Sequence, residues 1–421
     1  MRKSVKIRKI IYEILYDIYE NSTKFEHSFL EFTKNITLND QERGMIYNVA
    51  LNSMRLNYYI NKILNLYLKK KTKTKIKILL LSAITQIIYL DFKDYAVTND
   101  SVEVAKLKKL NSGLINSLLK KVIKERNLLK LYNIDKKKIP SWFKTSLKEN
   151  NIELEGIFKS ISCEPSTHLV FKNKTSLKNF KESHKITTEK SAFIINKSKI
   201  SKIDGYSLGV WWVQDFSSML PIYLSSEIKS KKIIDLCAAP GGKAFQAIST
   251  GGCLTLNDIS FKRTKILREN LKRLRYNAEI SNLDARDLNE EKKFEVVILD
   301  APCSGIGTIR RNPEILFKKE SPNFAKLIEI QNSLILKASK LLKTNGILIY
   351  MVCSFFYKET VAIKNNFLEK NKNFSNQKFN LDSNHSLYRF ISDEGDIYCK
   401  PSKYENFMID GFYSAKFIKN D

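Results

Sequence analysis

Two cysteines lie at the ends of apolar runs, each inside a short polar motif. Cys303 belongs to LDAPCSG, residues 299–305, and Cys353 belongs to YMVCS, residues 350–354. A cysteine thiolate is both a strong nucleophile and a competent leaving group, so it can add to a ring carbon and later be expelled. Adding a thiolate to carbon 6 of a cytosine turns carbon 5 into a nucleophile that can attack the methyl group of a sulfonium. The two motifs therefore indicate methyl transfer to a pyrimidine base.

A single cysteine at a strand end is more often a small buried apolar residue than a reagent. Two cysteines in tight motifs beside a possible cofactor turn favour the reactive interpretation. The other four cysteines are interpreted as small buried apolar residues: Cys163, Cys237, Cys253 and Cys399. No CxxC pair exists, and no histidine stands near a cysteine at the spacing of metal ligands. The sequence therefore predicts neither a disulfide framework nor a metal site.

The possible cofactor turn is the stretch KIIDLCAAPGGK, residues 232–243. It is an apolar run that ends in Asp235 and is followed by a tight turn and a helix. A phosphate loop of the Walker type would need Ser or Thr where Ala244 stands, and its first glycine is missing. The dinucleotide pattern GxGxxG is also absent. The stretch therefore does not require a ligand with a phosphate.

The same turn fits another ligand. Gly241 and Gly242 let a ligand approach the backbone, and the N-terminus of the following helix favours a carboxylate or a phosphate. Asp258 ends the next apolar run, where a carboxylate can accept hydrogen bonds from ribose hydroxyls. These features predict a nucleoside ligand with a carboxylate and without a required phosphate, a description that S-adenosylmethionine fits.

From residue 214 onward, short apolar runs alternate with helical segments. The runs are KIIDL, CLTLND, EISNLD, FEVVILD and GILIYMVC, and helices are predicted at 262–276 and 324–342. Strand–helix alternation is typical of a parallel sheet with crossover helices. Several runs end in an acid or a cysteine, and ligands bind at the carboxyl ends of strands in open parallel sheets. Residues 214–421 are therefore predicted to form the α/β domain that carries the chemistry.

Residues 1–133 are predicted to be all-helical, because apolar residues recur at helical spacing and proline is absent. Residues 1–135 contain 25 Lys and Arg against 13 Asp and Glu, and the whole chain has a net charge of +28. This excess favours a polyanionic partner, nucleic acid before a membrane surface, although a lysine-rich proteome explains part of it. The basic run at 69–77 is either a solvated surface loop or a contact to phosphates. The N-terminal part is therefore predicted to be a binding module.

Pro140 marks a boundary after the helical part. Residues 134–213 are predicted to form a small α/β connector, with a helix in SWFKTSLKENN and a short strand in THLVFKN. Trp211 and Trp212, near its end, either stack on bases or pack in a core. The expected domains are therefore residues 1–133, 134–213 and 214–421.

The N-terminal stretch MRKSVKIRKIIYEIL lacks the apolar segment and the small-residue cleavage site of a signal peptide. The most apolar window, residues 78–90, is too short for a membrane span and contains Thr85 and Gln86. The sequence therefore predicts a cytoplasmic protein without a membrane partner. No coiled-coil seam indicates a dimer, so a monomer is expected.

Several segments resemble known proteins. DLCAAPGGK, LDAPCSGIGTIRRNPEI and VCS are similar to motifs of the RNA 5-cytosine methyltransferases of the Nol1/Nop2/Sun (Fmu) family. The helical N-terminus, notably GLINSLLKKV, resembles the transcription antiterminator NusB. A NusB-like domain ahead of such a methyltransferase resembles the bacterial enzymes that act on 16S rRNA. The resemblance implies an all-α NusB-like domain, a small α/β connector and a Rossmann-like S-adenosylmethionine-dependent methyltransferase domain.

The resemblance also implies roles for individual residues. The S-adenosylmethionine loop would be formed by Cys237, Ala238, Ala239, Pro240, Gly241, Gly242 and Lys243. Asp258 would bind the ribose, Asp284 would lie beside the adenine, and Asp300 would lie near the cofactor and the target base. Cys353 would be the nucleophile and Cys303 would help to release the product, whereas DNA 5-cytosine methyltransferases use the cysteine of the PC motif as nucleophile.

Some details stay open at this point. Val352 stands where threonine usually precedes the nucleophile, which removes a hydroxyl beside it. Lys243 either starts the helix or reaches the acidic residues around the site. Arg310 and Arg311 either hold RNA phosphates or form a solvated surface pair.

The expected substrate is a flipped or single-stranded cytidine, because carbon 5 is inaccessible to this chemistry in a stacked helix. The basic helical part and the connector would hold the surrounding RNA. The NusB-like part favours 16S rRNA, while tRNA and large-subunit rRNA are alternatives with the same chemistry. A non-catalytic RNA-binding factor is disfavoured by the complete cofactor turn and the two cysteines, and a DNA methyltransferase by the second cysteine, in VCS.

Overall fold

The computed structural model describes residues 1–68, 71–196, 199–289 and 291–421, and the chain divides into two compact units. The first unit consists of Met1–Glu164 together with Ile309–Pro322, and the second of Pro165–Thr308 together with Asn323–Asp421. The expected connector, residues 134–213, is thus divided, because its helices group with the first unit and its strands with the second. The first two residues of the basic run, Lys69 and Lys70, lie outside the described residues.

The first unit is built from helices, numbered here along the chain. They are α1 (Lys3–Asn21), α2 (Phe25–Thr33), α3 (Asp40–Arg55), α4 (Asn57–Tyr67), α5 (Thr74–Ile84) with a π-helical turn at Thr85–Tyr89, α6 (Asp94–Leu107), α7 (Ser112–Lys124), α8 (Arg126–Leu129), α9 (Ser141–Glu149), α10 (Leu154–Ile161) and α15 (Glu314–Phe317). The prediction that residues 1–133 are all-helical is confirmed for the described part of that range. None of the described helices in the chain is long and apolar enough to cross a membrane.

Local sequence explains where these helices begin and how they pack. The side chain of Asn39 accepts a hydrogen bond from the N–H of Glu42, and the Glu42 carboxylate accepts one from the N–H of Asn39, at 2.9 and 3.0 Å. This reciprocal capping box starts α3 where the sequence predicts a helix start. Isoleucines and leucines on one face of α1 are fully buried, and they join a single core with the apolar faces of α3 to α7.

Residues Ile309–Pro322 follow the PCS motif in sequence yet fold with the helices of the first unit. The hydroxyl of Tyr58 donates to the carbonyl of Leu316, and Nε of Arg55 donates to the carbonyl of Arg310, both at 2.7 Å. Phe317 is buried in the helical core. Arg310 is itself only 1% exposed, so neither sequence-based alternative for this residue is right, since a phosphate contact and a solvated pair both need exposure.

The second unit begins with a small antiparallel sheet in the order β2-β3-β1-β4. Its elements are β1 (His168–Phe171), α11 (Lys174–Lys178), β2 (His184–Thr188), β3 (Ser191–Ile194) and β4 (Trp211–Val213). The strand predicted in THLVFKN is confirmed as β1. Trp211 and Trp212 are 0% and 2% exposed, so the tryptophan pair packs in the core rather than stacking on bases.

The larger sheet of this unit carries the strand–helix alternation predicted from the sequence. Its elements are α12 (Phe216–Tyr223), β5 (Lys232–Asp235), α13 (Gly242–Ser249), β6 (Cys253–Asn257), α14 (Phe261–Leu274), β7 (Glu279–Ser281), β8 (Phe294–Asp300), α16 (Phe324–Leu341), β9 (Leu342–Val352), α17 (Val361–Lys370), β10 (Phe374–Asn376), β11 (Ile397–Cys399), the hairpin of β12 (Ser402–Tyr404) and β13 (Phe407–Ile409), and β14 (Phe412–Lys419). The prediction of an α/β domain is confirmed.

The strand order, β10-β14-β9-β8-β5-β6-β7, brings the predicted site residues to one edge of the sheet. Strands β5 to β9 pair in parallel, whereas β14 adds to β9 in the antiparallel sense. After β5 the chain adds β6 and β7 on one side, and it then crosses over to place β8 and β9 on the other side. The end of β5 is therefore at the switch point where ligands bind in open α/β sheets. The carboxyl ends of β5, β6, β8 and β9 therefore meet at this edge.

Candidate active site

The turn after β5 is shaped by one glycine in a conformation that other residues rarely adopt. Gly241 has φ +117°, and a Cβ atom there would lie 2.0 Å from the ring of Phe245. The turn also contains a cis bond between Ala239 and Pro240. Gly241 precedes α13, and within the described residues no side chain caps the N-terminus of this helix. The N–H groups of its first turn therefore point out of the turn as donors for a carboxylate.

Asp258, directly after β6, braces this turn. One carboxylate oxygen accepts from the N–H of Ala239 at 3.1 Å, and the other accepts from the N–H of Ser260 at 2.9 Å. Arg263 lies 3.5 Å from the same carboxylate and also donates to the carbonyl of Ala239. Asp258 is only 1% exposed, and Arg263 covers part of its carboxylate. The Arg263 side chain is 53% exposed, and an ion pair of that kind is weak enough to open.

Asp284 lies in the loop after β7, at the start of a short 3₁₀ turn. Its carboxylate accepts from the N–H of Arg286 at 3.0 Å and from the guanidinium of the same residue at 2.9 and 2.5 Å. The hydrogen bonds from Arg286 lower the pKa of Asp284, so the group is an ionised acceptor at neutral pH. Its side chain is 22% exposed, which leaves it accessible to a ligand at this edge.

Lys243, in the first turn of α13, reaches across to β8. Its Nζ lies 2.7 Å from Oδ2 of Asp300. Burial lowers the pKa of Lys243, but the Asp300 carboxylate and Cys353 outweigh that effect and raise it. Burial and the neighbouring Asp300 raise the pKa of Asp235 to about 7, so a second carboxyl beside the turn is close to half-protonated at neutral pH.

The two cysteines of the PCS and VCS motifs follow neighbouring parallel strands. Asp300 and Met351 are register partners in β8 and β9, and Cys303 and Cys353 lie in the loops that follow them. The N–H of Gly307 donates to the carbonyl of Cys353 at 3.0 Å, which ties the two loops together. Both cysteines are partly exposed and form no disulfide. The structure therefore brings the two predicted reactive residues to the same edge as the cofactor turn.

The two thiols differ in their electrostatic surroundings. Burial and the Asp300 carboxylate together raise the pKa of Cys353 to about 12, and the charge of Lys243 opposes that shift. Burial, Cys353 and Glu359 raise the pKa of Cys303 well above its ordinary value. A cation therefore stabilises the thiolate of Cys353, while a carboxylate favours the neutral thiol of Cys303.

Sequence reasoning missed two residues here. Arg263 covers Asp258, and Glu359 binds the serines that follow both cysteines. Neither residue belongs to a motif with a recognised mechanism, and only the serines of PCS and VCS hinted at a shared partner. Of the remaining cysteines, Cys399 is buried, whereas Cys163 and Cys253 are exposed and so are not the buried apolar residues that were expected.

The residues at this edge fit S-adenosylmethionine. The uncapped N-terminus of α13 suits its carboxylate, and the turn before that helix depends on Gly241, whose positive φ and close contact with Phe245 leave no room for a side chain. Asp258 and Asp284 supply carboxylate acceptors for hydroxyl and amino groups. Asp300 adds a carboxylate at the same edge, paired with Lys243.

Comparison with known proteins matches both parts of the chain to families. Residues 222–418 match the family described as 16S rRNA methyltransferase RsmB/F. The C-terminal part of the chain therefore matches an RsmB/F methyltransferase domain. Residues 5–124 match the NusB family, so the helical N-terminus is a NusB-like domain.

Curated relatives align with the chain, two of them along most of its length. The Ribosomal RNA small subunit methyltransferase B of Proteus mirabilis is 26% identical over 386 residues, which cover 85% of this chain and 90% of that protein. The Bacillus subtilis protein named Probable ribosomal RNA small subunit methyltransferase B is 25% identical over 408 residues, covering 88% and 90%. The Ribosomal RNA small subunit methyltransferase B of Yersinia enterocolitica is 32% identical over 182 residues, which cover 42% of this chain and 42% of that protein.

Solved structures share the fold of this chain. The crystal structure of PH0851 superposes with a TM-score of 0.71 at 19% identity and covers 100% of this chain and 99% of its own. NSun6 from Pyrococcus horikoshii, solved with SFG, gives a TM-score of 0.53 at 17% identity over 68% of this chain and 98% of its own. The C-terminal unit therefore has the fold of a methyltransferase domain. The matched range, 222–418, contains the whole cofactor turn and both cysteine motifs.

Proposed function

We propose that this protein transfers a methyl group from S-adenosylmethionine to carbon 5 of a cytosine in 16S rRNA, through a covalent adduct with Cys353. The observation that carries the proposal is the meeting of two cysteine loops, those of Cys303 and Cys353, with the Lys243–Asp300 pair at one sheet edge. Ribosomal RNA is taken from the names of the curated relatives and from the RsmB/F family description.

The cofactor would be held by residues 237–243 together with Asp258 and Asp284. Bound there, S-adenosylmethionine supplies an electrophilic methyl group on a sulfonium. Arg263 covers part of the Asp258 carboxylate to which the ribose hydroxyls would bind, and the turn amides of α13 orient the carboxylate end. Asp300 then faces both the cofactor turn and the cysteine loops, where its charge is shared with Lys243.

The chemistry begins at Cys353. Its thiol passes a proton to water, and the thiolate adds to carbon 6 of the cytosine, which breaks the 5,6 double bond and makes carbon 5 nucleophilic. Lys243 stabilises the thiolate, since its charge lowers the pKa of Cys353. Carbon 5 would then accept the methyl group that bound S-adenosylmethionine supplies, with a neutral thioether as the leaving group.

Release restores the aromatic ring and frees the enzyme. A base removes the proton from carbon 5, the carbon 6–sulfur bond breaks, and its electron pair returns to Cys353 as thiolate. Cys303 assists this step from the neighbouring loop. Burial and nearby charges raise the pKa of both thiols, but Lys243 opposes the shift at Cys353, so Cys353 is the better placed of the two to add to the ring.

The NusB-like unit offers a basic cleft for the RNA backbone. A cleft of about 950 Å³ is lined by Lys62, Lys77, Lys136, Lys137 and Lys138 and by side-chain amides of α4. Within the described residues, only Lys136 of these lysines forms an ion pair, with Glu155. Burial and the charge of Lys138 lower the pKa of Lys77, because the cations lie close together. Such a cluster favours phosphates, which release counterions when bound.

Bisulfite mapping of 16S rRNA from cells with and without this protein tests the proposal. One or more cytosines that resist conversion only when the protein is present would support it. If rRNA is unchanged while a tRNA cytosine depends on the protein, the 16S assignment fails and the chemistry stands. If no RNA cytosine changes, the proposed reaction is wrong.

A further inference from the structure

Both cysteines are followed by a serine, and the two serines share one partner. The hydroxyl groups of Ser304 and Ser354 donate to the same carboxylate oxygen of Glu359, at 2.5 and 2.8 Å. The other oxygen of Glu359 accepts from the backbone N–H of Ser304 at 2.8 Å. Ser304 adjoins Cys303 and Ser354 adjoins Cys353, so one carboxylate joins the two cysteine loops.

Glu359 is fully buried, and two further side chains donate hydrogen bonds to it. Nε2 of Gln331, on α16, donates to the Glu359 carboxylate at 3.2 Å and to the carbonyl of Pro302 at 3.0 Å. The hydroxyl of Tyr350, near the end of β9, donates to the backbone carbonyl of Glu359 at 2.9 Å. A buried carboxylate is tolerated only when donors satisfy it in this way. Tyr350 on β9 and Gln331 on α16 thereby tie Glu359 and the two loops to the sheet and to α16.

We propose that Glu359 is a positioning residue that sets the relative placement of the Cys303 and Cys353 sulfur atoms by binding the serine after each. The inference rests on the proposed function, in which the same base meets Cys353 first and Cys303 afterwards. Two reagents that act in turn on one ring must keep a constant separation, and a misplacement of about 1 Å can cost on the order of 100-fold in rate. The serines of PCS and VCS thereby acquire a role.

The Glu359 carboxylate also acts on the two thiols unequally. Together with burial and Cys353, it raises the pKa of Cys303. At Cys353, by contrast, the Asp300 carboxylate raises the pKa and the charge of Lys243 lowers it. Glu359 therefore affects the difference in pKa between the two cysteines as well as the distance between them.

The first test compares full-length Glu359→Gln with the wild type and with Glu369→Gln, which removes the same charge from an exposed position on α17. The substrate is 16S rRNA transcribed with 5-fluorocytidine, whose carbon 5 has no proton to lose, so the adduct is trapped. We expect adduct formation to slow on the order of 100-fold in Glu359→Gln, with an unchanged Kd for S-adenosylmethionine. Glu369→Gln should behave as the wild type.

The second test needs no RNA and follows the alkylation of Cys303 by iodoacetamide as a function of pH, read by mass spectrometry. Removing the Glu359 charge lowers the pKa of Cys303, so the alkylation midpoint should move to lower pH. The double variant Ser304→Ala/Ser354→Ala keeps the carboxylate and removes the hydroxyl donors. It should slow adduct formation as Glu359→Gln does, while the alkylation midpoint stays close to that of the wild type.

Wild-type adduct rates and an unshifted midpoint in Glu359→Gln would overturn the inference. A loss of S-adenosylmethionine binding that matches the loss of adduct formation in both variants would also overturn it, since a general weakening of the fold would then explain the data. If the wild type itself forms no adduct, the proposed function fails. The alkylation midpoint still reports in that case whether Glu359 acts on Cys303.

Discussion

The ammonium group of Lys243 lies 2.7 Å from a carboxylate oxygen of Asp300. This ion pair joins the first turn of α13 to the end of β8, and it combines the two roles that the sequence left open for the lysine. Lys243 belongs to the start of the helix, and its side chain also reaches an acidic residue of the site. Because the pair adjoins the cysteine loops, a change at either residue should alter thiol chemistry as well as cofactor binding.

Cys353→Ala should abolish both methyl transfer and the covalent RNA adduct, because alanine has no group that can add to carbon 6. Transfer of a labelled methyl group and a denaturing gel of the protein–RNA complex measure the two effects. Cys253→Ala, in the exposed cysteine at the start of β6, is the matched control and should keep wild-type activity. Substantial transfer by Cys353→Ala would show that another residue attacks the base.

Cys303→Ala should still form the adduct and should release it slowly, because the adduct loses the residue that assists elimination. We expect about one methyl group transferred per enzyme molecule, followed by a halt, and a protein–RNA band that persists in denaturant. Quenched-flow measurement of the first turnover separates transfer from release. Steady turnover at the wild-type rate would contradict the release role.

Lys243→Met should shift the pH–rate profile of methyl transfer to higher pH. Lys243 lowers the pKa of Cys353, so its removal raises that pKa and leaves less thiolate at a given pH below it. A profile displaced by one pH unit corresponds to roughly a tenfold loss of rate on the rising limb. Lys243→Arg keeps the charge and should leave the profile in place, even if its rate falls. Identical profiles for Lys243→Met and the wild type would separate the lysine from the nucleophile.

Asp235→Asn should stabilise the ligand-free protein at pH 8. The folded-state pKa of Asp235 is about 7, above its ordinary value of 3.8, so the folded protein holds an extra proton between those values. The wild-type free energy of unfolding therefore falls as pH rises from about 4 to 7, by roughly 1.4 kcal/mol per pH unit at most. Urea titrations of both proteins at pH 5 and pH 8 measure the difference, which should be larger at pH 8.

Asp284→Asn is the control for the same titrations, because its effect on the free energy of unfolding should have the opposite sign. The pKa of Asp284 is lowered by Arg286, so its carboxylate contributes stability above its unfolded pKa and loses it as pH falls. This variant should be less stable than the wild type at neutral pH and should approach it in acid. A destabilised Asp235→Asn at pH 8 would show that its carboxylate is stabilised by more than its buried surroundings suggest.

Lys137→Ala/Lys138→Ala should weaken binding to 16S rRNA and reduce its salt dependence. Each phosphate that is no longer neutralised reduces the magnitude of the slope of log K against log salt by about 0.7 on single strands and 0.9 on duplex. The slope of the double variant should therefore be smaller in magnitude by roughly 1.5. Filter binding from low to moderate salt measures the slope. Lys120→Ala/Lys121→Ala changes the same charge on the exposed face of α7 and should keep the slope. Equal slopes in all three proteins would exclude the cleft.

Much of the site follows from local sequence. Asp235, Asp258, Asp300 and Cys353 stand just where short apolar runs end, and parallel pairing then gathers strand ends at one edge. The hydrogen bond between Ser304 and Glu359 joins residues that are 55 positions apart, so no local sequence pattern predicts it.

Tertiary contacts also decide the surroundings of residues that look alike in sequence. Arg310 is buried by the first unit although it follows a loop of the second, whereas Arg263 lies over Asp258 only because α14 starts beside the turn. A basic residue after a polar loop is compatible with both outcomes. Packing partners that are distant in sequence decide between them.

The grouping of Ile309–Pro322 with the helices has a consequence for how the protein is made. Synthesis proceeds from the N-terminus, and domains ordinarily fold as they emerge from the ribosome. Here the partners of Tyr58 and Arg55 are encoded after the PCS motif, so the helical unit stays incomplete until translation has passed Pro322. A fragment that stops at Glu164 would expose the apolar surface that normally receives Phe317, and the nascent chain carries that exposed surface for much of its elongation.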